Sequence, residues 1–245
     1  MRIIVAAIHG ILTGQTEASW PDRFDAWMFK RDRSVKVLKK EYRAGPFPKW
    51  NCLVKDPLLA RGLANELELF LGSEPCDPGS VPSSEPAPAL WLIGHSNGAV
   101  IALLAARQLI ERGCRIEGLI LTGGACNPDI ERCGILDWQS RGMLKFAFAY
   151  SSREDEVLDG AEVAELSPGA GAFARLSHWL RGRLIAPYGC LGRTGWMLDG
   201  RALAATNSEN SKIQTRWFAG GHSCYFNAQN CERTFEQFYS DLGAQ

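Results

Sequence analysis

Residues 89–113 read ALWLIGHSNGAVIALLAARQLIERG, and the fold follows from how this stretch is parsed. The apolar run at 90–93 has the length and composition of a buried parallel strand. Gly94-His95-Ser96-Asn97-Gly98 interrupts it, and a helical pattern follows in which the first polar residues are Arg107 and Gln108. Gly113 stands where a helix end favours a left-handed residue. G-x-S-x-G set directly between a strand and a helix describes a nucleophile elbow. Gly94 and Gly98 have a steric purpose, because only positions without a side chain fit two residues either side of so sharp a turn. Such a turn points Ser96 Oγ outward. It also sets the Asn97 N–H at a helix N-terminus, where partial positive charge can meet a developing oxyanion.

Outward from this stretch, strands and helices alternate. Ile3–Ile8 is β-branched and apolar, bounded by His9-Gly10, and reads as a central strand. A loop at 9–16 leads to a helix start at Ser19-Trp20-Pro21-Asp22, with Phe24, Trp27 and Met28 on one face. The alternation in 34–42 (SVKVLKKEY) suits a strand nearer the sheet edge. A loop carrying Phe47 and Trp50 precedes a helix at 56–71, whose apolar stripe is Leu59, Leu63, Leu67 and Phe70. Prolines 75, 78, 82, 86 and 88 make 72–89 an exposed loop far from Ser96, with no chemistry assigned. Strands are predicted at 116–122, 144–150 and 212–218, a short irregular or helical piece at 127–139, and helices at 162–166, 173–184 and 231–242. The Gly-rich segment 187–205 has no readable pattern. This alternation predicts one α/β domain over residues 1–245, a mostly parallel sheet of about six strands with helices on both faces. In such a sheet, ligands bind at the loops that leave the C-terminal strand ends.

Composition narrows the function. At 245 residues, 46% apolar and 22% charged, the chain suits one soluble α/β core. A formal net charge of zero gives no electrostatic case for nucleic acid or an anionic lipid surface. Absence of any apolar run of ~18 residues argues against stable membrane insertion. The opening MRIIVAAIHG enters a strand directly, without the pattern of a secretory leader, so a cytoplasmic location is expected. Its eight cysteines are scattered without CxxC spacing and read as reduced thiols. Neither a metal nor an organic cofactor is expected. Oligomeric state is left open.

A serine hydroxyl needs a base to take its proton during attack. Of four histidines, His95 lies inside the elbow, His9 in the first loop and His178 within a helical pattern. His222 follows a strand and two glycines, so elimination favours it as the base. The imidazole in turn needs a carboxylate to fix its tautomer. Ser151-Ser152-Arg153-Glu154-Asp155-Glu156-Val157 follows the strand at 144–150, and Asp155 is preferred there with Glu154 as its rival.

The order Ser96, Asp155, His222, with His-Gly after the first strand, resembles the α/β-hydrolase superfamily of serine esterases and lipases over nearly the whole chain. The resemblance implies a second oxyanion donor in the Ile11 N–H, beside that of Asn97. It also selects Asp155 over Glu154, because the family's acid precedes a hydrophobic residue by two, here Val157. Only about 20 residues separate the strands at 116–122 and 144–150, which implies a minimal lid. The chemistry implied is cleavage of a small-molecule carboxylic ester or thioester through an acyl-enzyme on Ser96. His9, Gly10, Phe47 and Trp50 are the candidate substrate-pocket residues. The competing readings are a lipase, acyltransferase or peptidase on the same three residues, and a non-catalytic binding or scaffold protein on the same fold.

Overall fold

Alternation along the strands builds a sheet with two different faces. The strands are β1 (Ile3–Ile8), β2 (Val35–Lys40), β3 (Ala89–His95), β4 (Ile116–Thr122), β5 (Leu144–Ser151) and β6 (Ile213–Trp217). They lie in the order β2-β1-β3-β4-β5-β6, with every neighbouring pair parallel. The computed structural model describes residues 2–10, 19–41, 55–71, 88–158, 189–203 and 212–243. The expected helices at 162–166 and 173–184, most of the proline-rich stretch, Ile11, Phe47, Trp50 and His178 lie outside these residues.

Ile3, Val5 and Ala7 of β1 face one side with Trp91, Ile93, Phe148 and Tyr150. Helices α1 (Trp20–Arg31) and α6 (Cys231–Asp241) cover that side with Trp20, Phe24, Phe235 and Phe238. Ile4, Ala6 and Ile8 face the other side, with Leu90, Leu92, Leu119, Leu121 and Ala147. Helices α2 (Asp56–Phe70) and α3 (Asn97–Glu111) close that side. Ala99, Ala102, Ala105 and Ala106 let α3 lie close against the strands. Burial of each large apolar side chain is worth about 1.5–3 kcal/mol, so the two faces dominate the stability.

Most expected elements are present. β2 takes the edge, and its Lys39 pairs with Asp22 and Asp25 of α1. The stripe on α2 is displaced from the reading: Ala60, Leu63, Ala64 and Leu67 are buried, whereas Phe70 is exposed under the Lys36 ammonium. Phe70 is the last residue of α2. The connection from β4 to β5 holds one short helix, α4 (Ile135–Ser140). Part of the unreadable Gly-rich segment folds as α5 (Leu191–Thr194) and a hairpin pairing Met197–Leu198 with Arg201–Ala202. Cys114, Cys126, Cys133, Cys190, Cys224 and Cys231 are thiols. No described helix is long and apolar enough to cross a membrane.

The chain reverses direction across the sheet at one place. From β1 it passes outward to β2, then returns to the other side of β1 as β3 and continues to β4. In open α/β sheets ligands bind where the strand order reverses in this way, at the C-terminal strand ends, and here that point falls between β1 and β3. Strand order, parallel pairing and the turn between β3 and α3 are those of the α/β-hydrolase fold.

Candidate active site

Ser96 occupies the tip of the turn between β3 and α3 with φ 56° and ψ −123°, a sparsely populated backbone conformation. Holding a serine there costs about 1–3 kcal/mol, offset by the packing around it. A Cβ on Gly94 would lie 2.5 Å from the Gly98 carbonyl oxygen, and one on Gly98 would lie 2.5 Å from that of Ile8. Both glycines are thus steric requirements of the turn. The Ser96 N–H donates to the Thr122 carbonyl oxygen at 3.0 Å, tying the tip to the end of β4.

Two further loops close on the same oxygen. His222, in the turn after β6, places Nε2 2.8 Å from Ser96 Oγ. Its Nδ1 lies 2.8 Å from Asp155 Oδ2, in the loop after β5. A nitrogen facing a carboxylate carries the proton, so Nδ1–H donates to Asp155 and bare Nε2 accepts the Ser96 hydroxyl proton. The Asp155 side chain is fully buried, and its Oδ1 accepts the Leu158 N–H at 3.1 Å.

The acid loop is itself anchored. Ser151 Oγ donates to the Leu191 carbonyl at 2.8 Å, and the Ser152 N–H donates to that of Gly192 at 2.7 Å. Helix α5, illegible in the sequence, is thus what supports the loop carrying Asp155. Two side chains of the acid loop also hold the histidine loop. Ser152 Oγ donates to the Gly220 carbonyl, and Glu154 Oε2 accepts the Gly220 N–H at 2.8 Å. Glu154, the rival acid in the sequence, therefore braces the backbone two residues before the imidazole.

His9 and Gly10 leave the end of β1 beside the elbow. A Cβ on Gly10 would come within 2.9 Å of Ser96 Cβ and 3.5 Å of its Oγ, so this position borders the serine oxygen. His9 is buried, with Nδ1–H donating to the Gly10 carbonyl at 3.0 Å. Asn97 begins α3, and its buried side-chain amide donates to Asp56 Oδ1 at 3.1 Å, pinning the start of α3 to that of α2. The structure thus gathers Ser96, His222, Asp155, Asn97, His9 and Gly10 along the sheet's C-terminal rim. Ile11, Phe47 and Trp50 lie outside the described residues.

Sequence reasoning set His95 aside, and its position is informative. Its ring is buried between the elbow and the histidine loop, 5.2 Å from the His222 ring and edge-on to Phe226 at 5.2 Å. Burial, then the neighbouring His222, drives its pKa from 6.5 down to about 3, so the ring is neutral. Among the described residues, no group of three or more His, Cys, Asp or Glu side chains is placed to hold a metal ion.

No protein-family model matches the chain, and no curated protein matches it in sequence. Solved structures that it resembles include an esterase from Pyrococcus furiosus, 13% identical, with 99% of this chain and 82% of that chain covered and a TM-score of 0.49. Human thioesterase 2 is 10% identical, with 99% and 97% covered and a TM-score of 0.47. The RedJ thioesterase of the prodiginine biosynthetic pathway in Streptomyces coelicolor is 14% identical, with 98% and 90% covered and a TM-score of 0.47.

Proposed function

We propose that this chain is a serine hydrolase that cleaves small-molecule carboxylic esters or thioesters through an acyl-enzyme on Ser96. The supporting observation is the unbroken relay from Ser96 Oγ to His222 to Asp155, each hydrogen bond 2.8 Å long. An imidazole with one nitrogen on a buried carboxylate and the other on a strained, half-buried hydroxyl is arranged to move a proton.

Ser96 attacks the substrate carbonyl carbon while His222 Nε2 takes the hydroxyl proton, and Asp155 stabilises the imidazolium. The tetrahedral oxyanion receives the Asn97 N–H at the start of α3, with the Ile11 N–H as second donor. Collapse breaks the bond to the leaving alcohol or thiol, which receives its proton from His222. Water then repeats the sequence on the acyl-enzyme and releases the acid. Losing one oxyanion donor costs on the order of 10²–10³ in rate, so the site relies on both.

The direct test is a fluorophosphonate probe followed by p-nitrophenyl esters of increasing acyl length. Covalent labelling of the folded protein, abolished in Ser96→Ala, is the expected result. Folded protein that takes no label would overturn the reading in favour of a binding or scaffold role. The chain-length series then assigns the acyl group.

A further inference from the structure

We infer that His95 is a positioning residue for His222, its buried Nε2–H holding the His222 backbone so that the imidazole can reach Ser96 and Asp155 together. This rests on the reading of Ser96, His222 and Asp155 as the reacting set. His95 Nε2 lies 3.2 Å from the His222 carbonyl oxygen. A carbonyl only accepts, so in the neutral ring the proton sits on Nε2. Nδ1 is then bare, and it is buried with no hydrogen-bond partner among the described residues. A buried acceptor left unpaired is destabilising, and an aliphatic side chain at this position would avoid that cost. Among the described residues, the ring's one hydrogen bond runs to the backbone of the proposed base.

Geometry explains why that bond matters. His95 is the last residue of β3 and immediately precedes Ser96, so its backbone moves with the nucleophile. Its side chain reaches across to residue 222, 127 positions further along the chain. The histidine loop needs such a tether because Gly220, at φ 105°, and Gly221 give it a permissive backbone. Ser152 and Glu154 hold that loop at Gly220, from the side of the acid. His95 holds it at residue 222, from the side of the nucleophile. With both tethers, the serine-to-imidazole distance is set by rigid β3 rather than by a glycine-rich turn.

The test compares His95→Gln with His95→Met, side chains of similar length and volume that differ in the amide donor. The expected result is a kcat lowered roughly 10–100-fold in the Met variant with KM changed less than about 2-fold, and most of that loss restored in the Gln variant. The far-downfield proton resonance of His222 Nδ1, read without substrate, should persist in the Gln variant and broaden or vanish in the Met variant. Equal kcat in the two variants, or an unaltered resonance in both, would overturn the assignment. Long-range proton–nitrogen spectra of the wild type give a check that needs no variant. A proton found on His95 Nδ1 would sink the proposal even if the Met variant failed to fold. Because the resonance and the tautomer are read without turnover, an inactive wild type would count against the hydrolase reading alone.

Discussion

Two buried carboxylates, Asp155 and Asp241, meet different partners from neighbouring strands, and the difference separates the proposed chemistry from scaffolding. Asp241, at the end of α6, accepts the Tyr150 hydroxyl at 2.5 Å and Arg216 Nε at 2.9 Å. Arg216 Nη2 bonds its other oxygen, which Gln237 also reaches at 3.3 Å. Every one of these partners is fixed. The Tyr150 hydroxyl is held protonated by burial and then by the adjacent carboxylate, and the guanidinium has no accessible second state. Asp155 instead meets an imidazole whose far nitrogen touches a hydroxyl. A carboxylate surrounded by fixed donors locks α6 onto β5 and β6. A carboxylate facing an imidazole can stabilise charge as it forms.

Substitution should separate the two. Asp155→Asn is expected to lower kcat about 10⁴-fold while leaving the protein folded, because the amide favours the wrong imidazole tautomer. Glu154→Gln keeps an acceptor for the Gly220 N–H and should stay within a few-fold of wild type. Steady-state kinetics on one p-nitrophenyl ester decides this, and the reverse ranking would move the acid role to Glu154.

Asp241→Asn should do the opposite, costing about 3 kcal/mol of stability by leaving Arg216 poorly paired. Its remaining folded fraction should turn over at the wild-type rate. Denaturant unfolding read beside active-site titration measures both quantities. A loss of kcat per folded molecule would break the division between the two carboxylates. Tyr150→Phe removes a single donor from the same cluster and should cost about 1–2 kcal/mol.

A further expected effect concerns pH. His95 titrates at about 3 in the native protein against 6.5 for an ordinary histidine, so the unfolded chain binds a proton in that window and the native state does not. Stability therefore rises with pH from about 3 to 6.5 and is lost as the solution is acidified. His95→Gln removes that contribution, and its unfolding free energy should vary less steeply across the same window. An unchanged slope would mean that the buried ring takes up its proton in the native state. In that case the tether to His222 would be made by a cation.

Much of the site lay in local patterns. The elbow at 94–98 is a steric rule written in adjacent residues, and the buried strands around it are continuous apolar runs. His222 came from elimination among four histidines, with the glycines before it as the local clue. Asp155 was separable from Glu154 only through a family register, since both occupy the same loop and carry the same charge. Nothing local marked α5 as the support of the acid loop, because its four residues carry no helical periodicity. The tether from His95, the brace from Glu154 and the bond from Asn97 to Asp56 join residues 127, 66 and 41 positions apart.

Taken alone, the sequence determined the alternation of strand and helix, the strained serine and the short list of its partners. These depend on side-chain volume, backbone freedom and periodicity, which act between neighbours in the chain. Tertiary structure decided which of three adjacent acids meets the imidazole, which histidine lies beneath it and which carboxylate is locked. Those outcomes depend on where strand ends arrive on a shared rim. That is set by packing the two faces of the sheet, and no short window of residues contains it.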